Sequence, residues 1–545
     1  MTILLYLLIA TAALLGAPLF LVISSLALVG FWSLGTRADI LASLIEPIKM
    51  LSSQDIFLAI PLFTFAGFLM AAAGTPRRLV NLSRAVLGWM PGGIAVVALV
   101  ACAFFTAFTG ASGVTIIALG GLLYPILIAE RYPENFSLGL MTTGGSRGLI
   151  FPPSLPLILY ATIAAMNYAP LMEEKRSMGP PRDWLTSTQV EPTARSDGDE
   201  YDELDALLGG DDDKYDELDA LLGDDSPTVA HIEPPAPKSD LQRFHPMVHL
   251  NELVVRVDRA MAGELAARHE LWVQGVDFER RRSPTPEKLF MAGAIPGAMM
   301  VILIALYAMF VGVRRGVPRT SFGAGALARS IYDAAFEIPI PLIILVGIYG
   351  GFFTAQEAAG VTAFYVLFVE TVIYRDISFK RLPKVMLDSM ILVGGVMIIL
   401  ITALALKNYL VLAEIPQTLR DTLTAHITNP LTFLILLNLF LLVVGCMMDI
   451  FSAIMVVVPL IIPLAVAYDV HPVHLGVIFL INLEIGYSTP PVGINLFIAS
   501  LRFRKPVLQL YAACLPFLVL LLSGLVVITY WPGLSLWLMR MSGME

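Results

Sequence analysis

The chain has 545 residues, 57% of them hydrophobic and 14% charged, with 44 acidic against 35 basic side chains. A soluble protein of that composition would leave too much apolar surface facing water, so a soluble fold is excluded and an all-α polytopic membrane protein is implied. The net charge of −9 is local: much of the acid sits in one block at 197–225, and the rest of the chain is mildly basic.

In chain order the apolar runs cover 3–32, 56–73, 94–128, 137–166, 289–313, 338–374, 386–406, 431–468, 475–500 and 510–531. Several exceed the roughly 20 residues one crossing needs, so they must hold a second span, a tilted helix or a hairpin that returns to its own face. Together they predict about 10–12 crossings plus re-entrant elements. The first run follows the N-terminus without a basic region or a small-residue cleavage site, and reads as a retained span rather than a removed signal peptide. Cys102, Cys446 and Cys514 all lie inside apolar runs and form no CxxC pair. They read as small buried hydrophobes rather than as metal ligands or disulfide partners.

Short basic loops orient the chain. They carry Arg77, Arg78 and Arg84; Arg314, Arg315 and Arg319; Arg375, Lys380, Arg381 and Lys384; and Arg502, Arg504 and Lys505. The bias of Lys and Arg toward the inner side predicts that these loops face the cytoplasm.

One long polar stretch, 168–287, interrupts the apolar pattern. Within it the segment 199–209 (DEYDELDALLG) returns as 213–223 (DKYDELDALLG). Each copy has the spacing of one or two amphipathic helical turns, yet flanking acid and proline leave too little apolar surface for it to fold alone. It reads either as a solvated linker or as a short motif that lays its leucines into a partner's groove. Residues 250–276 look more helical and suit a small docked element.

A stronger regularity lies in the apolar part. Pro125 and Pro463, Gly148 and Gly486, and Pro152-Pro153 and Pro490-Pro491 are each separated by 338 residues (463−125, 486−148, 490−152). The shared spacing implies two copies of one unit: a hairpin, then an apolar helix broken at a Pro-Pro. A Pro-Pro inside an apolar span removes backbone donors and frees carbonyls at membrane depth, where bare backbone survives only if protein covers it or it lines a site. Paired broken helices in two repeats point to a substrate and ion site near the membrane midplane. Each preceding hairpin carries a patch of small and polar residues, 106–115 (TAFTGASGVT) and 445–452 (GCMMDIFS). Such patches suit hairpin tips that hold a hard cation; close helix packing by small residues is the plainer alternative.

At these residues the sequence resembles the large membrane subunit of tripartite ATP-independent periplasmic (TRAP) transporters, the DctM-like family. The resemblance runs through 104–115, 144–160 (GGSRGLIFPPSLPLILY), 289–297, 347–361, 445–449 and 482–500 (NLEIGYSTPPVGINLFIAS). It implies an elevator-type transporter with two inverted repeats, re-entrant hairpins and Pro-Pro-broken helices, over a first repeat at 1–167 and a second at 288–545. It also implies uptake of a small organic acid such as a C4-dicarboxylate, coupled to Na+ with no other cofactor and no enzymatic activity. The implied partners are a small four-helix membrane subunit and a periplasmic substrate-binding protein, and the implied location is a bacterial inner membrane.

Carried over by position, the first sodium site would use Thr106, Thr109, Gly148, Phe151 and Pro153, and the second Gly445, Gly486, Thr489 and Val492, mostly through backbone carbonyls. Substrate contact would fall to Ser112, Ser146, Arg147 and Asp449. The sequence keeps a hydroxyl at Thr109 but has Ala111 where the family often has serine. Charges inside a membrane are costly and mark function by default. Arg147 is therefore expected either to fork onto a substrate carboxylate, or else to reach the interface or pair with an acid. Asp449 is expected first as a hairpin helix cap, with pairing to Arg147 or contact with substrate hydroxyls as alternatives, and Glu357 follows Thr354 at capping-box spacing. Glu484 and Lys407 read as interface or scaffold charges, and His426, His471 and His474 as solvated loop histidines.

The polar insertion lies one helix away from the basic loop at 314–319, which predicts a periplasmic side and a contact with the binding protein or another envelope component. A stand-alone sodium/organic-anion elevator symporter is the alternative within transport. An intramembrane enzyme finds no HExxH, GxSxG or His–Asp constellation, and a receptor built on the acidic repeats would leave the duplication without a purpose.

Overall fold

The structure, a computed structural model, describes residues 2–14, 17–33, 45, 48–49, 55–177, 282–319 and 322–544. The acidic tandem repeat and the 250–276 segment lie outside the described residues. So does most of a separate unit assigned to Lys175–Gly275.

The described chain is helical throughout. The first half holds α1 (Thr2–Leu14), α2 (Leu19–Ser33), α3 (Ala59–Ala72), α4 (Thr75–Leu87), α5 (Gly93–Thr109), α6 (Ser112–Ala129), α7 (Glu134–Gly144) and α8 (Leu155–Ser177). Two helices follow, α9 (Pro286–Arg314) and α10 (Ala324–Asp333). Then come α11 (Pro339–Tyr349), α12 (Ala355–Ile373), α13 (Leu382–Leu412), α14 (Ile415–His426), α15 (Pro430–Met447), α16 (Ile450–Ala467), α17 (Pro472–Gly486), α18 (Ile494–Phe503), α19 (Val507–Tyr530) and α20 (Gly533–Met541).

Among the described residues, eight helices are long and apolar enough to cross a membrane, or nine if the bent pair α3–α4 counts as one span. That pair bends by 75°, and five more apolar helices are shorter than a crossing. The expected 10–12 crossings thus resolve into full spans plus half-length helices, because several long apolar runs are split by tight tips and breaks. The 94–128 run splits at Gly110, whose φ of 62° favours a residue without Cβ. The 431–468 run splits at Met448-Asp449. There Asp449 caps α16 by accepting from the backbone N–H groups of Phe451 and Ser452 at 3.0 and 3.1 Å, as its spacing predicts. Thr354 and Glu357 close the expected capping box at the start of α12. Prolines in the first turn, where no intrahelical donor is needed, start α4, α9, α11, α13, α14, α15 and α17.

The 338-residue spacing extends far beyond the prolines. Adding 338 to α6 gives 450–467, the bounds of α16, and adding it to α5 gives 431–447, which falls on α15. The same shift takes α7 to 472–482 within α17, α4 to 413–425 on α14, α2 to 357–371 within α12, and α1 to 340–352 on α11. The paired set therefore begins again at Pro339. By element order α9 and α10 stand between the two sets. α8 also runs on past residue 167 to Ser177.

Candidate functional site

Each hairpin closes onto its own broken helix through glycine. A Cβ placed on Gly148 would lie 2.1 Å from the carbonyl O of Ala103 and 2.7 Å from Cβ of Thr106 on α5. A Cβ on Gly486 would lie 2.5 Å from the carbonyl C of Gly445 on α15. Real side chains do not fit there, so the break is held against the hairpin backbone to backbone. The expected first set, Thr106 and Gly148, and the second, Gly445 and Gly486, are each brought together in this way. Both Pro152-Pro153 and Pro490-Pro491 bonds are cis.

The broken segments leave carbonyl oxygens without donors. Gly148 and Gly486 accept turn bonds from the N–H groups of Phe151 and Thr489, at 3.1 and 2.9 Å. Among the described residues, no N–H or O–H donates to the carbonyls of Phe151, Pro153, Gly445, Thr489 or Val492. Oxygens crowd the first hairpin as well. The buried Thr106 hydroxyl lies 2.6 Å from Oγ1 of Thr115 and 2.8 Å from the carbonyls of both Cys102 and Gly145. One hydroxyl proton cannot serve three oxygen neighbours, so at least one close O···O contact has no hydrogen between its atoms. An oxygen-rich, proton-poor cluster of this kind suits a hard cation. Thr115 was visible in the small-residue patch but had no role assigned to it; only the fold shows that it faces Thr106. The Thr109 hydroxyl stands apart from this cluster and approaches the Ala111 carbonyl at 3.4 Å.

Arg147 is fully buried and pairs with Glu484, which is also fully buried, at 3.2 Å. Its Nε donates to the Thr143 carbonyl at 3.0 Å, and its Nη2 to the Ser146 hydroxyl at 2.9 Å and the Glu484 carbonyl at 3.2 Å; Nη1, which makes the ion pair, finds no hydrogen bond among the described residues. This corrects the reading of Glu484 as an interface or scaffold charge. The arginine sits in the first break and the glutamate just before the second, so the pair ties the two broken helices together. Of the two expectations for Arg147, the acid partner is the one observed here, and that acid is not Asp449.

Asp449 spends its oxygens on the cap and on the Ser452 hydroxyl. A second tie between the halves runs from the Ser112 hydroxyl to Oδ1 of Asn495 at 2.7 Å. Two buried polar groups beside the second break, Nδ2 of Asn495 and the Ser488 hydroxyl, find no hydrogen-bond partner among the described residues. Sequence reasoning named neither. His471 and His474 also depart from expectation. His471 caps α17, and the His474 ring lies 3.1 Å from the Ser535 hydroxyl and 3.3 Å from the Thr529 carbonyl. Both are buried, because α20 folds back over that end. No cluster of three or more His, Cys, Asp or Glu side chains that could hold a metal ion occurs among the described residues.

Residues 2–173 and 286–534 match the family profile described as the DctM component of the tripartite ATP-independent periplasmic transporter. The chain belongs to the DctM family. It is thus the large permease subunit of a TRAP transporter, a multi-pass membrane transporter and not an enzyme.

Among curated relatives, the C4-dicarboxylate TRAP transporter large permease DctM of Pseudomonas aeruginosa is 28% identical, over 91% of this chain and 90% of that one. The protein of the same description from Rhodobacter capsulatus is 26% identical over 89% and 87%. The 2,3-diketo-L-gulonate TRAP transporter large permease YiaN of Escherichia coli is 25% identical over 89% and 87%. Among solved structures, the Alcanivorax borkumensis YdaH transporter superposes with a TM-score of 0.45 at 14% identity, covering 91% of this chain and 89% of that one; a score this low decides nothing. The profile match breaks at 174–285, so most of the polar 168–287 stretch of this DctM protein lies outside what the profile describes.

Proposed function

We propose that this DctM protein carries a small organic anion, with a C4-dicarboxylate as the first candidate, across the bacterial inner membrane in company with Na+. The observation that carries the reading is the set of donor-free carbonyls and crowded hydroxyls where each broken helix meets its hairpin. The first sodium position would use the oxygens of Thr106 and Thr115 with the backbone of Phe151 and Pro153. The second would use the carbonyls of Gly445, Thr489 and Val492. The N-termini of α8 and α18 face the breaks and favour negative charge, as helix starts do. Asn495 and Ser488 would offer the anion polar contacts that protein groups leave unfilled. Arg147 would act on the anion through the geometry of the breaks while its charge stays with Glu484. The substrate class rests on relatives described as C4-dicarboxylate permeases; others are described as isethionate, ectoine and 2,3-diketo-L-gulonate permeases.

In this reading the hairpins and broken helices move as one body against α1–α4 and α11–α14, an elevator motion. A small membrane subunit and a periplasmic binding protein complete the transporter, and the 168–287 insertion faces the binding protein. The test is uptake of labelled organic acids into proteoliposomes, with and without an inward Na+ gradient and with and without each partner. Uptake that needs both Na+ and the binding protein supports the reading. Na+-driven uptake by this chain alone would replace it with a stand-alone symporter. Thr106→Val is expected to raise the Na+ concentration for half-maximal uptake severalfold, and an unchanged Na+ dependence would remove Thr106 from the ion site. Unchanged substrate affinity in Arg147→Gln would remove Arg147 from recognition altogether.

A further inference from the structure

α10 buries none of its own residues. It nevertheless carries Ile331 and Tyr332, the latter 81% exposed, with the exposed Phe322 and Phe336 on either side. It is not free to fold these away. The Tyr374 hydroxyl donates to the Asp333 carbonyl at 2.8 Å and accepts from the N–H of Phe336 at 3.3 Å, and the Tyr365 hydroxyl donates to the Phe336 carbonyl at 3.0 Å. The Tyr374 ring lies 3.8 Å from the guanidinium carbon of Arg78, which also engages Glu337, Glu370 and Asp376. The helix is thus bolted at its end to α4 and α12, with its aromatic side chains held outward.

The same rim is strongly basic. Arg315 and Arg319 precede α10, Arg329 lies on it, and Arg375, Lys380 and Lys384 follow the end of α12; all six are exposed. None has a carboxylate partner among the described residues. Asp333 is the one acid in 315–337 and 374–384 outside the Arg78 network. The rim also sits where the apolar spans α9 and α12 end and α13 begins. Outward aromatic side chains among unpaired cations at span ends match a surface that offers both phosphate and hydrocarbon.

We propose that this rim, α10 with the 374–384 turn, binds anionic glycerophospholipids of the leaflet at that end of the spans, so that the static part of the transporter is seated by lipid headgroups. A neutral lipid lacks the charge, and free phosphate lacks the acyl chain that would cover Phe322, Ile331 and Tyr332. Each basic side chain near an anionic surface is worth roughly fivefold in binding.

The test uses the full-length chain in neutral detergent, titrated with phosphatidylglycerol, phosphatidylcholine or inorganic phosphate, with bound lipid read by native mass spectrometry. Wild type is expected to retain phosphatidylglycerol well above phosphatidylcholine. The triple variant R315Q/R319Q/R329Q is expected to lose that preference by about tenfold or more, with its thermal unfolding in phosphatidylcholine micelles unchanged. Should that variant unfold, Tyr332→Ser keeps every charge and is expected to weaken phosphatidylglycerol retention while leaving inorganic phosphate without effect. Equal retention of both lipids would overturn the proposal. So would competition by inorganic phosphate at concentrations matching the lipid, which would mark a free-phosphate site. Loss of the small membrane subunit from the triple variant, with lipid retention intact, would assign the rim to a protein partner and overturn it as well.

Discussion

Arg147 and Arg78 both meet carboxylates, and they do so under different rules. Arg147 lies at the centre of the core with no exposed surface and has a single acid, Glu484, equally buried. Backbone carbonyls and one hydroxyl accept from its Nε and Nη2, while Nη1 has only the ion pair. Arg78 lies at the rim with 14% of its side chain exposed, meets three acids and is flanked by a tyrosine face. In the dry centre charge must balance one for one, because an uncompensated ion there costs several kcal/mol. At the rim, water and nearby cations tolerate a surplus of negative charge. The difference teaches where the molecule uses its ions: one pair to join the two broken helices, one hub to brace helix ends at the rim.

The largest test removes one side of the central pair. Glu484→Gln leaves Arg147 charged and alone, and is expected to cost about 3–5 kcal/mol in unfolding of the detergent-solubilised protein. The double change Arg147→Met with Glu484→Leu is expected to recover most of that, since a packed apolar pair is often no worse than a buried ion pair. If the single change costs under about 1 kcal/mol, the pair is wet and the contrast with the rim collapses. Gly148→Ala comes next. Its Cβ would press on the Ala103 carbonyl, and overpacking of that kind costs about 1–3 kcal/mol. Heat-induced unfolding and Na+-dependent uptake should fall together.

At the rim, Arg78→Lys keeps the charge but loses the planar fork, for an expected loss of about 1–3 kcal/mol. Asp376→Asn, at a side chain 27% exposed, should cost under about 1 kcal/mol. Equal losses at the two positions would mean the hub is not organised around the arginine.

The smallest effect belongs to Lys505 and Glu134, a half-exposed pair between the end of α18 and the start of α7. The hydrogen bond from Lys505, followed by the lysine's charge, holds the Glu134 carboxyl below its ordinary value of 4.5. A depressed folded value means the contribution is fully present above pH 4.5 and is lost as pH falls through the lowered value. Unfolding curves of wild type and Glu134→Gln should therefore differ slightly near neutrality and converge in acid.

Much of this was legible before any coordinates. Proline and glycine are punctuation that tertiary context rarely overrides, so the broken helices followed from Pro152-Pro153, Pro490-Pro491 and their spacing, and the hairpin tips from the small and polar patches at 106–115 and 445–452. The caps at Asp449 and Thr354 were local as well. Contacts between segments distant in sequence were not legible. Nothing near Arg147 in the chain announces Glu484, 337 residues away, and nothing near Ser112 announces Asn495. The buried state of His474 depends on α20, which comes 61 residues later at Ser535. Apolar runs do not by themselves separate full spans from half-length helices, because hydropathy reports burial in something apolar and is silent on whether that is lipid or protein.

The constant shift of 338 gives the chain an internal reference, an alignment of length two written in a single polypeptide. Where both copies agree, as at Gly148 and Gly486 or Pro153 and Pro491, ancestry and geometry have kept a shared task. Where they disagree, the task has been divided. Thr106 faces Val444 in the alignment, Thr115 faces Ala453, Arg147 faces Ile485, and Ser146 faces Glu484. The hydroxyl-lined cluster therefore belongs to the first copy alone, and the ion pair draws one charge from each copy at adjacent alignment columns. Transplanting Thr106 and Thr115 onto Val444 and Ala453 would ask whether the second copy still remembers how to do the first copy's work.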